Sequence, residues 1–245
     1  EQFKTGKTIS VNTGVEVIEL DLYEPRVTGS AKMGNLRKVK NPDGNWELQL
    51  AGDFGQEVAN QLPVLTVQQI DAAIMAAGSA PSGANHQPWY FVAISNAQVK
   101  HQIRLASEKE EKKFYSGGGN DEWIKALEPI GTDAHKPHLD IAPWLIVIFA
   151  QRWGEFDDGT RYKNYYVPES VGIATGFLIS ALHHAGLTCL THTPNPMKFL
   201  NGLLGRPASE KPVMILAVGH LSEDAAVPVV AKMKKPLAEI MSIYD

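Results

Sequence analysis

Cysteine and long apolar runs are scarce in this chain, which has a single cysteine, Cys189, among 245 residues. One thiol excludes an internal disulfide framework and a cysteine-rich metal site, so we expect a reducing, cytoplasmic location. No stretch of about 20 uninterrupted apolar residues occurs, and the first residues lack the apolar segment of a signal peptide. We therefore expect no membrane partner.

An excess of positive charge is also missing. The chain carries 23 Lys and Arg against 27 Asp and Glu, for a net charge of −4. This balance is normal for solubility and argues against a nucleic-acid surface. His135 and His138 stand three residues apart, but Pro137 separates them and no acidic or sulfur partner is evident. We therefore expect no metal site.

The motifs of several common enzyme classes are absent. No strand pattern is followed by a Gly-x-Ser-x-Gly turn, a P-loop or a Gly-x-Gly-x-x-Gly fingerprint. Hydrolase, nucleoside triphosphatase and Rossmann-type functions therefore lose their usual support. Internal repeats and low-complexity tracts are also missing.

The chain divides by pattern into a first part, residues 1–62, and a second part, residues 63–245. The first part holds an alternating stretch at Val15–Leu22 and a strong turn at Asn41–Gly44. These patterns indicate a loose β-hairpin or a partly disordered arm. No functional motif is visible in this part.

The second part alternates between helical and strand patterns, which indicates an α+β or α/β sandwich around one sheet. Thr66 and Gln69 have the spacing of a capping box, before a helix that ends near Gly78. Val171–Ala185 is apolar on nearly every side, so we expect a helix buried all round, with small residues that would allow a subunit contact. The other predicted elements are a helix from Asn96 and strands at Tyr90–Ile94, Leu145–Ala150, Thr188–Thr191 and Val213–Gly219.

The most informative stretch is Ala80–Trp89, in which Gly83 and Ala84 lie between two prolines. Glycine adopts backbone angles that other residues avoid and lets another group approach closely. The exposed N–H groups of such a turn can hold an anion. This stretch is therefore a candidate contact for a flat ligand.

Glu111 and Tyr115 stand four residues apart and share a helix face, and Lys136 follows beyond the glycine-rich break at Ser116–Asn120. An acid, a phenol and an amine can together grip a zwitterion, because Glu111 complements an ammonium and Lys136 a carboxylate. The glycine run suits a hinge or lid. The alternatives are a solvated charged face and a plain flexible loop.

A third candidate segment, Thr191–Pro196, directly follows a strand pattern. Hydroxyl groups at a strand end can donate to a ring nitrogen or a phosphate. Ordinary turn chemistry is the alternative.

Together these segments resemble the flavin-dependent nitroreductase superfamily over residues 63–245. Pro81–Ala84 with Gln87–Trp89 carries the general resemblance. The set Glu111, Tyr115 and Lys136 resembles the iodotyrosine deiodinases within that superfamily.

The resemblance implies a nitroreductase-like α+β sandwich, with a central mixed sheet flanked by helices and a domain-crossing homodimer that holds FMN at its subunit interfaces. It also implies reductive removal of halide from halotyrosines, with electrons from NAD(P)H or another reductant. Glu111, Tyr115 and Lys136 would close over the amino-acid end, and the Ala84 N–H would bind the phenolate. The implied cofactor-binding residues are Pro81, Ser82, Gly83, Thr191, His192, Thr193 and Lys234, and the Thr193 hydroxyl would have a catalytic role by reaching flavin N5 and favouring one-electron steps.

One departure concerns the FMN phosphate. The family carries an Arg-Arg-x-x-Arg stretch about 30 residues before the turn, where a planar charged fork suits phosphate. Here the corresponding stretch is Phe54–Val58, with no basic residue, and Lys234 falls where the family places an arginine. Either the first 62 residues replace the family's arm, or Arg37, Lys38 and Lys40 reach the phosphate by another route.

Two other functions stay open from the sequence. The first is a general FMN nitroreductase or quinone reductase on the same fold. The second is an inactive relative that has lost FMN phosphate binding.

Overall fold

The computed structural model describes residues 3–12, 17–24, 35–40, 46–51, 65–222 and 225–244, the first four ranges as backbone strands. The chain forms two compact units, one of Glu1–Lys32 with Gly55–Pro63 and one of Met33–Phe54 with Val64–Asp245. The predicted division at residue 62 stays a prediction.

The first four strands form two antiparallel pairs. β1 (Phe3–Asn12) pairs with β2 (Val17–Glu24), and β3 (Asn35–Lys40) pairs with β4 (Trp46–Ala51). The second pair is the hairpin expected around Asn41–Gly44, although the turn itself lies outside the described residues.

From residue 65 onward the structure contains each predicted helix and strand, with further short helices and strands between them. In chain order they are α1 (Val67–Gly78), β5 (Trp89–Ile94), α2 (Ala97–Lys113), α3 (Asp121–Leu127), α4 (His138–Ile141), β6 (Trp144–Gln151), β7 (Trp153–Glu155), β8 (Arg161–Lys163), α5 (Val167–His184), β9 (Thr188–His192), α6 (Phe199–Leu203), β10 (Glu210–Gly219), α7 (Val229–Lys232) and α8 (Leu237–Ile240). No helix in the described part of the chain combines the length and apolar character needed to cross a bilayer.

The start of α1 shows how local sequence fixes an element. The Thr66 side chain accepts from the Gln69 backbone N–H, and the Gln69 side chain accepts from the Thr66 backbone N–H at 3.0 Å. This capping box satisfies donors that a helix start leaves free. The predicted start of the helix is therefore confirmed.

The central sheet has the strand order β5-β6-β10-β9. Every neighbouring pair in it is antiparallel. The expected mixed sheet is therefore wrong for the described strands, since each strand runs opposite to the strand beside it. The α+β class is confirmed.

Alternation along β6 divides the core into two layers. Ile146 and Ile148 pack with α1 and α5 on one face of the sheet. Leu145, Val147 and Phe149 pack on the other face with residues of α2, α4 and α6. The strand is buried on both faces, as expected for a continuous apolar run in the middle of a sandwich.

The long helix α5 differs from the prediction. Its buried stripe includes Val171, Leu178 and Leu182, whereas Ile173 and Phe177 are 42% and 43% exposed. Within the single chain the helix is buried along one face only, so burial all round is wrong for the chain by itself. Apolar residues on every side hid which face is covered within the chain.

Candidate active site

The turn Ser82–Gln87 follows α1 and carries unusual backbone angles. Ala84, Asn85 and Gln87 have φ values of 50°, 56° and 49°, a region that residues with a side chain rarely adopt. The Ser82 hydroxyl accepts from the Gln87 backbone N–H at 2.9 Å and so closes the turn. Strained backbone of this kind is typical of ligand-binding sites.

Gly83 fixes the turn against the start of α5. Its N–H donates to the Ser170 hydroxyl at 3.2 Å. A Cβ atom built on Gly83 would lie 2.5 Å from the Tyr165 carbonyl oxygen, closer than real Cβ contacts allow. The close approach therefore requires glycine here and joins the turn to the segment Asn164–Tyr166.

His86 adds a side-chain link between the same two segments. Its Nδ1 lies 3.1 Å from the Asn164 Oδ1, and the buried Asn164 donates from Nδ2 to the Gln151 carbonyl at 2.8 Å. The turn is thus held in place from the end of β6 as well as from α5.

Ala84 keeps a free backbone donor. The N–H groups of its neighbours Gly83, Asn85, His86 and Gln87 all donate within the protein. No described residue accepts from the Ala84 N–H, and Ala84 is exposed. The predicted anion donor is therefore available to a ligand.

Glu111, Tyr115 and Lys136 come together as predicted, and Thr132 joins them. The Lys136 Nζ lies 3.7 Å from the Glu111 Oε2 and donates to the Thr132 Oγ1 at 2.8 Å. The Tyr115 hydroxyl donates to the Thr132 carbonyl at 3.3 Å. We call these four residues the charged cluster.

Burial shapes the charges of this cluster. It raises the pKa of the Glu111 carboxyl, against the attraction of the Lys136 ammonium, which lowers it. Burial likewise lowers the pKa of Lys136, whose side chain is only 5% exposed, while Glu111 acts in the opposite direction. Both charged forms are therefore poorly solvated, and a zwitterionic ligand would offer each a partner.

His138 and His192 connect the charged cluster to the end of β9. Their ring centroids lie 5.6 Å apart in an edge-to-face arrangement. Burial lowers the pKa of His138 to about 4 and that of His192 to about 3, with further lowering by Lys136. Neither Nε2 has a hydrogen-bond partner among the described residues. No sequence pattern indicated this contact, because 54 residues separate the two histidines.

The other predicted site residues lie on three segments of the chain. Thr191 and Thr193 are exposed on either side of the buried His192, Pro81 is exposed at the turn, and Lys234 is exposed near the C-terminus. The stretch Phe54–Val58 lies outside the described residues. Among the described residues, no hydrogen bond or ion pair joins the turn to the charged cluster.

Metal coordination finds no support in the described part of the chain, where no three His, Cys, Asp or Glu side chains group as ligands. His138, considered for a metal, instead packs on His192.

Comparisons of the sequence with a family model and with curated proteins agree with one another. A nitroreductase family model matches residues 61–220. An iodotyrosine deiodinase of Haliscomenobacter hydrossis is 49% identical over 180 residues, covering 74% of this chain and 80% of that protein. An iodotyrosine deiodinase of Daphnia pulex is 42% identical over 182 residues, covering 74% of this chain but 60% of that protein.

Solved structures share the architecture. A crystal structure of oxidized iodotyrosine deiodinase bound to FMN and 3-iodo-L-tyrosine has a TM-score of 0.62 at 25% identity, covering 88% of this chain and 95% of the other. A BluB-like flavoprotein from Clostridium difficile 630 has a TM-score of 0.55 at 19% identity, covering 74% and 90%, which shows a common fold alone.

Proposed function

The chain belongs to the nitroreductase family, and we propose that it is an FMN-dependent oxidoreductase of the iodotyrosine deiodinase type that removes halide from halotyrosines. The identity of 49% to the deiodinase of Haliscomenobacter hydrossis supports this activity. The observation that carries the proposal is the charged cluster, because a general nitroreductase has no need to recognise an amino acid.

The cluster suits the head group of an amino acid. The Glu111 carboxylate would receive the ligand's ammonium, and the Lys136 ammonium would receive its carboxylate in place of the Thr132 hydroxyl. Tyr115 would cover the ligand with its ring. The 3.7 Å separation of the two charged groups is short enough for one α-carbon to bridge them.

The turn suits the other end of the ligand and the flavin. Ala84 would donate its free N–H to the phenolate oxygen, and Pro81, Ser82 and Gly83 would face the flavin with little side-chain bulk. A flat ring fits this surface because the strained backbone leaves Ala84 exposed. FMN, when bound, supplies the electrons: the carbon–halogen bond breaks, a carbon–hydrogen bond forms from two electrons and a proton, and halide leaves.

The remaining proposed cofactor contacts lie at the end of β9 and near the C-terminus. Thr191, His192 and Thr193 would border the flavin at the end of β9, with the Thr193 hydroxyl as hydrogen-bond donor to N5. Lys234 would contact the phosphate as a point charge. A reduced nicotinamide, NAD(P)H, is the proposed electron source, and the cytoplasmic location stays a prediction.

We propose a homodimer on the basis of two apolar surfaces. Gly172 and Gly176 leave open space beside the exposed Ile173 and Phe177 on α5. Residues 225–244 add exposed apolar side chains, including Met233 at 72% and Ile243 at 74%. Exposed apolar side chains grouped in this way are typical of an interface. Sedimentation velocity should give a dimer, and Phe177→Glu should give a monomer.

The first experiment titrates the purified chain with FMN and then measures iodide release from 3-iodotyrosine under anaerobic, reducing conditions. Flavin binding with iodide release supports the proposal. Flavin binding with reduction of nitroarenes or quinones but no iodide release favours the general reductase. A chain that leaves FMN fluorescence unchanged, and that is colourless after unbound FMN has been removed, is the inactive relative.

The second experiment compares Lys136→Ala with Lys112→Ala, which removes an exposed lysine of α2. Loss of a charge-assisted hydrogen bond of roughly 1.5–3 kcal/mol should raise KM for 3-iodotyrosine by about 10- to 100-fold. KM for 2-iodophenol, which lacks the head group, should not change. Equal KM values for 3-iodotyrosine in both variants would exclude recognition of the zwitterion.

A further inference from the structure

One face of α2 holds the segment that carries Lys136. Lys100, Arg104, Glu108 and Glu111 follow one another at spacings of four, four and three, so they share a helix face. Each of them contacts a group between Lys136 and Pro143. Glu111 of the charged cluster is therefore the last residue in a row of polar side chains along α2.

Glu108 is the central member of this row. Its Oε1 accepts from the Arg104 Nε at 2.8 Å and from the Lys136 backbone N–H at 2.9 Å, and it lies 3.3 Å from the His135 Nδ1. The residue is only 6% exposed. A buried carboxylate with these partners is held in one position.

The charge of Glu108 is stable at neutral pH. Burial alone would raise its pKa, but hydrogen bonds from Arg104 and from the Lys136 backbone, together with the Arg104 charge, hold the pKa below its usual value. The Lys136 N–H therefore meets an ionised acceptor.

The far end of the segment is tied to the same helix. Arg104 also donates from Nη1 to the Asp140 Oδ2 at 2.7 Å, and the buried Lys100 donates to the Ala142 carbonyl at 2.6 Å. Glu108 thus accepts the backbone N–H of Lys136, and it lies about one helical turn before Glu111 on α2.

We propose that Glu108 is a positioning residue, which holds the backbone of Lys136 so that its ammonium faces Glu111 at the spacing of an amino-acid head group. This inference rests on the proposed function, and it adds a residue that contacts no ligand. Loss of the Glu108 charge would weaken recognition of the zwitterion and leave recognition of the aromatic ring unchanged.

The test compares Glu108→Gln with Glu110→Gln, which changes the same chemical group on the same helix, where it pairs with Lys113 instead. Calorimetry on the FMN-saturated chain measures Kd for 3-iodotyrosine and 2-iodophenol. For Glu108→Gln we expect about a tenfold rise in Kd for 3-iodotyrosine and no change for 2-iodophenol, because a neutral acceptor holds the N–H less firmly. Glu110→Gln should match the wild type for both ligands.

Two further measurements keep the test decisive. Hydrogen exchange of the ligand-free chain should show a protected Lys136 amide that exchanges faster in Glu108→Gln. Glu108→Asp keeps the charge on a shorter stem, so its Kd for 3-iodotyrosine should lie between those of the wild type and Glu108→Gln. If Glu108→Gln does not fold, Glu108→Asp takes its place, with a smaller loss confined to 3-iodotyrosine.

The outcomes separate the two proposals. A wild-type chain that does not bind 3-iodotyrosine overturns the proposed function and this inference with it. Normal binding of 3-iodotyrosine by the Glu108 variants, equal losses for both ligands, or unchanged exchange at Lys136 overturns the inference alone.

Discussion

The turn and the charged cluster are built by opposite means. In the turn, the free donor is a backbone N–H, and the geometry depends on Gly83 having no side chain. In the charged cluster, the binding groups are the ends of side chains, and one backbone group, the carbonyl of Thr132, takes part in the contacts that join the four residues to one another. The turn should therefore be sensitive to added atoms, and the cluster to lost charge.

The same contrast divides their proposed roles. A backbone surface offers shape and one directed donor, which suit a flat cofactor and the phenolate end of a substrate. Paired charges offer attraction to a particular class of ligand, since their combined field favours a zwitterion over a neutral molecule. Three experiments sharpen this comparison, beginning with the largest expected effect.

Gly83→Ala should weaken FMN binding at the turn more than any other change considered for that segment. The added Cβ would lie 2.5 Å from the Tyr165 carbonyl oxygen, so the turn or the start of α5 must move. Overpacking of this kind costs about 1–3 kcal/mol, and we expect up to about a 100-fold loss of FMN affinity in a fluorescence titration. Gly78→Ala is the control, because no atom lies within 4 Å of its Cβ. Unchanged FMN binding by Gly83→Ala would remove the turn from the flavin site.

His138→Phe tests the pH response beside the charged cluster. Because the pKa of His138 is about 4 in the folded chain and near 6.5 when unfolded, the unfolded chain takes up the proton first. The neutral His138 ring therefore contributes fully to the free energy of unfolding above pH 6.5, and this contribution declines as the pH falls toward 4. At pH 5 the free energy of unfolding is lower by about 2 kcal/mol for this reason, and the His138→Phe variant lacks this loss because phenylalanine does not titrate.

Urea unfolding at pH 7 and pH 5 measures this difference. The wild type should lose more unfolding free energy than His138→Phe between the two pH values. His184→Phe, which replaces an exposed histidine of α5, should keep the wild-type pH dependence. Parallel behaviour of His138→Phe and the wild type would show that the buried ring does not titrate with unfolding.

Ser170→Ala should have the smallest effect. It removes the acceptor of the Gly83 N–H and leaves the glycine contact with Tyr165 intact. We expect a loss of about 1 kcal/mol in unfolding free energy and a modest loss of FMN affinity. Ser180→Ala, at an exposed position of the same helix, should change neither. A loss as large as that of Gly83→Ala would mean that the side chain, rather than the backbone, sets the turn.

Local patterns predicted much of this molecule. The capping box of Thr66 and Gln69 follows from spacing alone, because helical geometry is set within a few residues. Tyr115 lies just beyond the end of α2, in the π-helical turn Phe114–Gly118, so its four-residue spacing from Glu111 predicted proximity but not a common α-helix. Residue chemistry grouped Lys136 with Glu111 and Tyr115 only as one of two alternatives, and the family resemblance favoured that grouping, since a break of irregular chain separates Lys136 from Tyr115. Its proximity to Glu111 depends on how two segments pack.

Long-range contacts account for what the sequence did not predict. The contact between His138 and His192 and the hold of Glu108 on the Lys136 backbone both join distant segments. The exposed face of α5 was also hidden, because an apolar residue has the same character whether its partner lies in the same chain or elsewhere. The antiparallel sheet depends on the paths of whole connections rather than on any short motif.

The pairing of Glu111 with Lys136 has a consequence for turnover. Dehalogenation changes only the ring of a halotyrosine, so substrate and product present the same ammonium and carboxylate to this pair. Contacts that are equal before and after reaction lower KM without accelerating the chemical step. Tyrosine should therefore compete for the site, and release of the product must depend on what the ring end loses when the halogen departs.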